Sequence, residues 1–151
     1  MTAVLQRIKN ATVYADGAFS GEVSNGLYIL LGVEKGDDET DVSLLAQKIA
    51  RLRIFEDDNG KMNLSVQDVD GEIMVVSNFT LAADYSHGNR PSYIGAASPD
   101  LAETLYNAFL KEISPFVKKV ATGRFGADMR TDMQTDGPVT IVMHSSVLRK
   151  K

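Results

Sequence analysis

Gly26-Leu27-Tyr28-Ile29-Leu30-Leu31-Gly32-Val33 is a continuous apolar run bounded by glycines. A run of this kind is typical of a β-strand that is buried on both of its faces. A second strongly apolar segment, residues 72–81, follows the turn signal Asp70-Gly71 and predicts another strand. The sequence therefore builds its fold around a buried β-sheet.

Further strands surround these two runs. The N-terminal segment alternates in polarity and reaches a strong hairpin signal at Asp16-Gly17. Alternation also marks the C-terminal third, where Gly137-Pro138 is predicted to break the chain between two strands. The additional predicted strands cover residues 3–8, 12–14, 129–135 and 139–143.

Two helices are predicted. Asp37, Asp38, Glu39 and Asp41 precede apolar residues at helical spacing, which we interpret as a helix start rather than a metal site, because acids stabilise the positive end of the helix dipole. Ser98-Pro99 opens the second helix. The pattern predicts an α+β fold with a curled, barrel-like antiparallel or mixed sheet and two main helices, formed as a single domain over residues 1–151.

The composition excludes several classes of protein. The chain of 151 residues contains no cysteine, which rules out disulfide frameworks, thiolate metal sites and cysteine nucleophiles. Its net charge of −4 argues against a protein that coats DNA or RNA through non-specific phosphate contacts. No apolar run is long enough to span a bilayer, and no signal peptide is evident. We expect a cytoplasmic protein that binds neither membrane nor DNA.

Few residues offer conventional catalysis. The only histidines are His87 and His144, and the sequence has neither a Gly-x-Ser-x-Gly nucleophile elbow nor a phosphate-binding loop. Two segments stand out: Ser77-Asn78-Phe79-Thr80-Leu81 closes an apolar strand with small polar groups, and Asp136-Gly137-Pro138-Val139-Thr140 interrupts another. Taken singly, the first is an ordinary strand end and the second an ordinary turn.

Taken together, the Ser-x-Phe-Thr-Leu and Asp-Gly-Pro-Val-Thr segments resemble the two signature motifs of the D-aminoacyl-tRNA deacylase family. The resemblance extends over nearly the whole chain and keeps its order. It includes the segments at residues 3–7, 32–36, 52–57, 60–66, 90–92 and 122–129.

The resemblance implies an ester hydrolase of translation quality control that removes D-amino acids, and also glycine, from tRNA. It implies a homodimer that needs neither a metal nor a cofactor, and whose partner is the 3′ end of aminoacyl-tRNA. In the family, a Gly-Pro with a cis peptide bond, here Gly137-Pro138, reaches from one subunit into the pocket of the other. Rigid backbone there rejects L-residues sterically, whereas glycine has no side chain to be rejected.

The same resemblance assigns roles to single residues. Main-chain N–H groups around Phe79 and Thr80 are candidate oxyanion donors, with Ser77 and Asn78 beside them. We favour Thr80 as a positioning group over Thr80 as the nucleophile, because no base is evident nearby and the 2′-hydroxyl of the terminal ribose is available. The substrate-binding candidates are Phe125 and Met129, which match the terminal-adenosine pocket, together with Thr135, Val139 and Thr140.

Two positions depart from the family pattern. Asn78 stands where glutamine is usual, and Thr135 stands where asparagine is usual and where a related branch that clears L-alanine from threonine tRNA also carries threonine. Two alternatives therefore stay open: a relaxed deacylase that also accepts small L-residues, and an inactive protein that binds tRNA ends. The basic tail, residues 149–151, is interpreted as a solvated C-terminus.

Overall fold

The computed structural model describes residues 1–149. Strands and helices alternate along them, with two short 3₁₀ helices between the larger elements. The strands are β1 (Thr2–Ala15), β2 (Ala18–Val23), β3 (Gly26–Gly32), β4 (Phe55–Glu56), β5 (Met62–Leu64), β6 (Glu72–Ser77), β7 (Val120–Thr122) and β8 (Met129–His144). The α-helices are α1 (Glu39–Arg51), α2 (Pro99–Ile113) and α3 (Ser145–Arg149), and the 3₁₀ helices are Phe79–Ala82 and Ser114–Phe116.

The main sheet is mixed and nearly closes into a barrel. Its order is β2-β1-β3-β6-β7, with β8 paired to β1. β1 runs antiparallel to β2, β3 and β8, whereas β3, β6 and β7 are mutually parallel. The two ends of this order approach each other, because Ser20 Oγ on β2 donates to the Thr122 carbonyl on β7 at 2.8 Å. This confirms the α+β fold with a curled, barrel-like sheet.

Two buried clusters explain why β3 and β6 are apolar throughout. On one face, Leu27, Ile29 and Leu31 pack with residues of α1 and α2. On the other face, Tyr28 packs with residues of β1, β2 and β6 inside the barrel. Side chains alternate across a strand, so a strand covered on both faces must be apolar at every position.

Two predicted breaks between strands are wrong, because β1 and β8 are each one long continuous strand. Residues 3–8 and 12–14 belong to the single strand β1, and β8 continues through Gly137-Pro138 instead of ending there. The ladder accommodates the motif with a bulge: Gln6 pairs with Thr140 and Ile8 with Thr135, so residues 136–139 all lie opposite one residue of β1. A bulge lets a strand carry extra residues without losing its pairing on either side. The Gly137-Pro138 peptide bond is cis.

The helix starts agree with the sequence analysis. Asp38 caps α1 by accepting from the Thr40 amide, and the Asp41 carboxylate accepts in turn from the Asp38 amide. This capping box confirms that the acidic cluster begins a helix. Ser98 caps α2, with Pro99 at its first position.

The third helix, α3, was not predicted from the sequence. Arg149 at its end donates to Asp41, so this part of the basic tail is bound to the fold rather than solvated. Lys150 and Lys151, the rest of that predicted tail, lie outside the described residues. Within residues 1–149, no helix is both long enough and apolar enough to cross a membrane.

Candidate active site

A pocket lies at the edge where the parallel strands β3 and β6 both end. It has a volume of about 670 Å³ and is closed on one side by α2. Its lining is mostly apolar, with a few polar groups, as is usual for a small-molecule site. The residues that matter below are Tyr28, Ser77, Asn78, Phe79, Tyr93, Tyr106, Phe125, Gly126, Ala127, Met129 and Thr131.

The first signature segment forms one rim of this pocket. The predicted strand over 72–81 ends earlier, at Ser77, and a 3₁₀ helix begins at Phe79. The Asn78 amide donates to the Leu31 carbonyl at 2.9 Å, which keeps the end of β6 against β3. Gly32 allows this approach, since a Cβ there would lie 3.0 Å from the Asn78 carbonyl oxygen.

Asn78 ends the strand because its side chain caps the 3₁₀ helix. Its Oδ1 atom accepts from the Thr80 amide at 3.2 Å and from the Thr80 hydroxyl at 2.5 Å. Asparagine is among the strongest helix caps because its short side chain reaches the next amides. The Thr80 amide therefore already has an acceptor and is not free to bind an oxyanion. The Thr80 hydroxyl donates to an amide oxygen, which is too weak a base to activate it as a nucleophile.

Phe79 provides the amide that stays free at the rim. Its N–H donates to no acceptor within residues 1–149, as expected for the first residue of a helix. The residue is 59% exposed, and its ring packs edge-on against Tyr93, with ring centroids 5.2 Å apart. Tyr93 belongs to the loop over residues 83–97, which is pinned by reciprocal amide-to-carbonyl bonds of 2.8 Å between Asp84 and Ser92.

The opposite wall is aromatic. The ring centroids of Phe125 and Tyr106 lie 5.9 Å apart, and the Tyr106 hydroxyl donates to the Val75 carbonyl at 2.9 Å. Burial raises the pKa of Tyr106 to about 12, so this phenol is neutral at physiological pH. Met129 lines the same pocket from the first position of β8.

Sequence reasoning missed a polar pair in this pocket. The Tyr28 hydroxyl lies 2.8 Å from the Thr131 hydroxyl, and burial raises the pKa of Tyr28. The single hydroxyl within the apolar run of β3 was the available signal. Pairing it with Thr131 required the register of β8 on β1, which the sequence does not contain.

The second signature segment lies elsewhere in the same chain. Gly137 and Pro138 are exposed in the bulge of β8. Arg7 holds the base of this bulge, because its Nε atom lies 3.1 Å from an Asp136 carboxylate oxygen and its NH1 group donates to the Ile54 carbonyl at 2.8 Å.

The bulge does not contribute to the pocket in its own chain. None of residues 136–139 lines the cavity. Arg7 lies opposite the bulge, whereas the pocket residue Thr131 pairs with Val13, six positions further along β1. The structure therefore groups Ser77, Asn78, Phe79, Phe125 and Met129 around one pocket. Six predicted site residues do not line it: Thr80, which follows Phe79 in the 3₁₀ helix, and Thr135, Gly137, Pro138, Val139 and Thr140, which lie along β8.

The two histidines lie outside this pocket. His87 Nδ1 is 2.8 Å from the Ser86 hydroxyl in the exposed part of the loop, and His144 Nδ1 is 2.9 Å from the Thr2 hydroxyl. Neither residue lines the cavity. Within the described part of the chain, no group of three or more acidic or histidine residues is arranged to hold a metal ion.

Comparison with known sequences gives long and consistent matches. The family model described as D-Tyr-tRNA(Tyr) deacylase matches residues 4–144. The D-aminoacyl-tRNA deacylase of Thermosipho africanus is 50% identical over 145 residues, covering 96% of this chain and 97% of that protein. The D-aminoacyl-tRNA deacylase of Flavobacterium johnsoniae is 49% identical over 146 residues, with 96% and 97% covered.

Solved structures share the fold. A protein described as c-Myc DNA unwinding element binding protein superposes with a TM-score of 0.89 at 37% identity, covering 95% of this chain and 98% of its own. A probable eukaryotic D-amino acid tRNA deacylase superposes with a TM-score of 0.79 at 13% identity, with 95% and 99% covered, which is a likeness of fold. Together with the match over residues 4–144, these results show that the chain belongs to the D-Tyr-tRNA(Tyr) deacylase family.

Proposed function

We propose that this protein hydrolyses the ester bond of D-aminoacyl-tRNA, and of glycyl-tRNA mischarged on alanine tRNA, and releases the free amino acid and tRNA. Family membership supports the reaction class. The observation that carries the proposal is the free amide of Phe79 at the rim of a largely apolar pocket. A preorganised N–H of this kind stabilises the oxyanion that forms when an ester carbonyl is attacked.

The proposed reaction needs no covalent bond to the protein. Water attacks the ester carbonyl carbon, and the resulting oxyanion accepts from the Phe79 amide. The bond between that carbon and the ribose 3′ oxygen then breaks, and the proton from water goes to the ribose oxygen. The ribose 2′-hydroxyl orients the water, and Thr80 positions the ester end of the substrate. Phe125 and Met129 contact the terminal adenosine, whose binding is strengthened by stacking.

Chirality is checked by a second copy of the chain. Within one chain neither Gly137 nor Pro138 lines the pocket, so in this proposal the partner copy supplies the bulge. Both residues are exposed, and no strand within residues 1–149 pairs with the outer edge of β8. Backbone carbonyls of this bulge reject an L side chain, pass a D side chain and do not sense glycine.

The relaxed deacylase is the second candidate. Thr135 is exposed and pairs with Ile8 directly before the bulge, so its side chain borders the segment that is proposed to reject L-residues. A hydroxyl in place of an amide there changes the hydrogen bonds available to that segment. The proposal in this form keeps the same reaction and widens the substrate range to small L-residues.

We expect no DNA binding, although one structural neighbour is named for a DNA element. That name describes the neighbour. Here the net charge of −4 opposes the phosphate contacts that give proteins their non-specific affinity for DNA.

A paired time course tests the proposal. D-tyrosyl-, L-tyrosyl-, glycyl- and L-alanyl-tRNA are incubated with the protein in chelator. Loss of the D-tyrosyl and glycyl esters with both L-esters intact is the expected result. Loss of L-alanyl-tRNA as well would favour the relaxed deacylase. If no ester is hydrolysed, the enzyme hypothesis fails and a tRNA-end binder is left.

A further inference from the structure

The loop between β7 and β8 supplies one wall of the candidate active site. Phe125, Gly126 and Ala127 all line the pocket, and none of them belongs to a helix or strand. Only one backbone hydrogen bond closes within the loop, from the Ala127 amide to the Arg124 carbonyl at 3.1 Å. The position of this wall therefore depends on contacts made from outside the loop.

Asp16 makes three such contacts. Its amide donates to the Asp128 carbonyl at 2.8 Å, and its Oδ1 atom accepts from the Asp128 amide at 3.0 Å. Its Oδ2 atom forms an ion pair with Arg124. The contacts reach both ends of the wall, because Arg124 precedes Phe125 and Asp128 follows Ala127.

A turn residue alone would not need this side chain. Asp16 has a φ of 49° in the hairpin that joins β1 to β2, a left-handed conformation that asparagine and glycine also adopt. Only a carboxylate, however, has one oxygen for the Asp128 amide and a second, charged oxygen for the Arg124 guanidinium. Aspartate at this position therefore meets two requirements: the left-handed conformation of the turn and the two contacts with the loop.

We infer that Asp16 is a positioning residue for substrate: it holds the loop over residues 123–128 in place, so that Phe125 and its neighbours meet the terminal adenosine of the tRNA. This inference rests on the proposed function. The carboxylate touches no reacting atom, and it acts through Arg124 and Asp128.

The energetics separate this role from general stability. Both partners of the Asp16–Arg124 pair are more than half exposed. Exposed ion pairs contribute little to the free energy of unfolding, because water screens the charges and holding two long side chains costs entropy. Loss of the pair should therefore loosen the pocket wall without lowering the melting temperature appreciably, and substrate binding should weaken while the chemical step is retained.

The chain contains a matched control. Asp70 also occupies a left-handed turn position, with a φ of 50°, and also pairs with one basic residue, Lys118, at 3.3 Å. Neither Asp70 nor Lys118 lines the pocket, and the turn precedes β6 at the end opposite to Ser77. Asp70→Asn therefore reproduces the loss of one exposed ion pair at a turn, at a distance from the wall.

The test measures KM and kcat for D-tyrosyl-tRNA, and inhibition by adenosine 5′-monophosphate, for wild type, Asp16→Asn, Arg124→Gln, the double variant and Asp70→Asn. Asparagine keeps the turn conformation and an oxygen for the Asp128 amide, so what is lost is the charged oxygen that pairs with Arg124. For Asp16→Asn we expect KM and the inhibition constant to rise about three- to fivefold, as on loss of one exposed ion pair, with kcat within about twofold of wild type. Asp70→Asn should match wild type.

Arg124→Gln should give the same change as Asp16→Asn, and the double variant no further change, because both remove one interaction. Arg124→Gln also tests the pair should Asp16→Asn fail to fold. An unchanged KM in both single variants, or an equal change in Asp70→Asn, would overturn the inference. Absence of hydrolysis by the wild-type protein would instead refute the proposed function, so the two failures are distinguishable.

Discussion

Asn78 illustrates how one side chain sets the chemistry of the rim. Its Oδ1 atom accepts from both the amide and the hydroxyl of Thr80, so neither group is available to donate to a substrate. The Phe79 amide is left as the free donor at the rim. The shorter amide of asparagine suits this local cap, since capping depends on reaching the second or third amide of the helix. The departure from glutamine at this position thus has a structural consequence within three residues.

Replacing Phe79 with proline deletes the proposed oxyanion donor. Proline is tolerated at the first position of a helix, and Asn78 before it is extended, with φ of −148° and ψ of 92°, so a small rotation in ψ brings it into the range usual before proline. We expect kcat for D-tyrosyl-tRNA to fall about 10²- to 10³-fold, as for loss of one oxyanion donor. Phe79→Ala is the control, because it keeps the amide and removes only the exposed ring; an equal loss in both variants would contradict the role of the amide.

Thr80→Ala separates a positioning group from a nucleophile. The Thr80 hydroxyl donates to Asn78 Oδ1, and no base accepts its proton. We expect measurable turnover, reduced by less than about 100-fold, whereas loss of a true nucleophile costs on the order of 10⁶-fold. Complete loss of single-turnover hydrolysis, with tRNA binding intact by filter retention, would restore Thr80 as the nucleophile.

At the scale of elements, Arg149 ties α3 to the start of α1. It donates to both carboxylate oxygens of Asp41, which is 3% exposed, and the charged hydrogen bond from Arg149 holds the pKa of Asp41 well below its usual range. A carboxyl group whose pKa is lower in the folded than in the unfolded state stabilises the fold above its unfolded pKa, and this stabilisation is lost as the pH falls.

Asp41→Asn should therefore lower the free energy of unfolding at pH 7, and the deficit relative to wild type should shrink as the pH falls below about 4, the unfolded pKa of aspartate. Urea titrations of both proteins at pH 7, 5, 4 and 3 measure this difference in the free energy of unfolding. Glu39→Gln, an exposed acid in the same helical turn, is the control and should show a smaller deficit. A deficit in Asp41→Asn that is constant with pH would contradict the assignment.

The elements also show what a sequence pattern can and cannot predict. The buried strands β3 and β6 and the capped starts of α1 and α2 depend on local periodicity and caps, and they were predicted correctly. The 3₁₀ helix at Phe79 was missed because Asn78 acts through its side chain, which apolar patterning does not register. The continuous strand β8 was missed because its register on β1 is a long-range property.

The candidate site divides in the same way. Ser77, Asn78, Phe79, Phe125 and Met129 were named from motifs, and they lie around one pocket. The hydroxyl pair of Tyr28 and Thr131 was not predicted, since it joins strands that are distant in sequence. The contacts of Asp16 with the loop before β8 were missed for the same reason, because the hairpin signal of Asp16-Gly17 explains those residues without any partner.

At the scale of the molecule, the separation of pocket and bulge makes oligomerisation a functional question. Gly137 has a φ of 138°, and a Cβ there would lie 2.5 Å from the Val139 amide nitrogen. Gly137→Ala must therefore displace the bulge. We expect this variant to hydrolyse D-tyrosyl-tRNA and also L-tyrosyl-tRNA, because the segment that we propose to reject L-residues has moved.

Heterodimers of Gly137→Ala with Phe79→Pro, purified through two different tags, decide which chain supplies the bulge. If each site combines the pocket of one copy with the bulge of the other, one site keeps both parts intact and the other loses both. We then expect about half of the wild-type rate on D-tyrosyl-tRNA and no hydrolysis of L-tyrosyl-tRNA. If pocket and bulge came from the same chain, the active site would carry the displaced bulge, and L-tyrosyl-tRNA would be hydrolysed as by the Gly137→Ala homodimer.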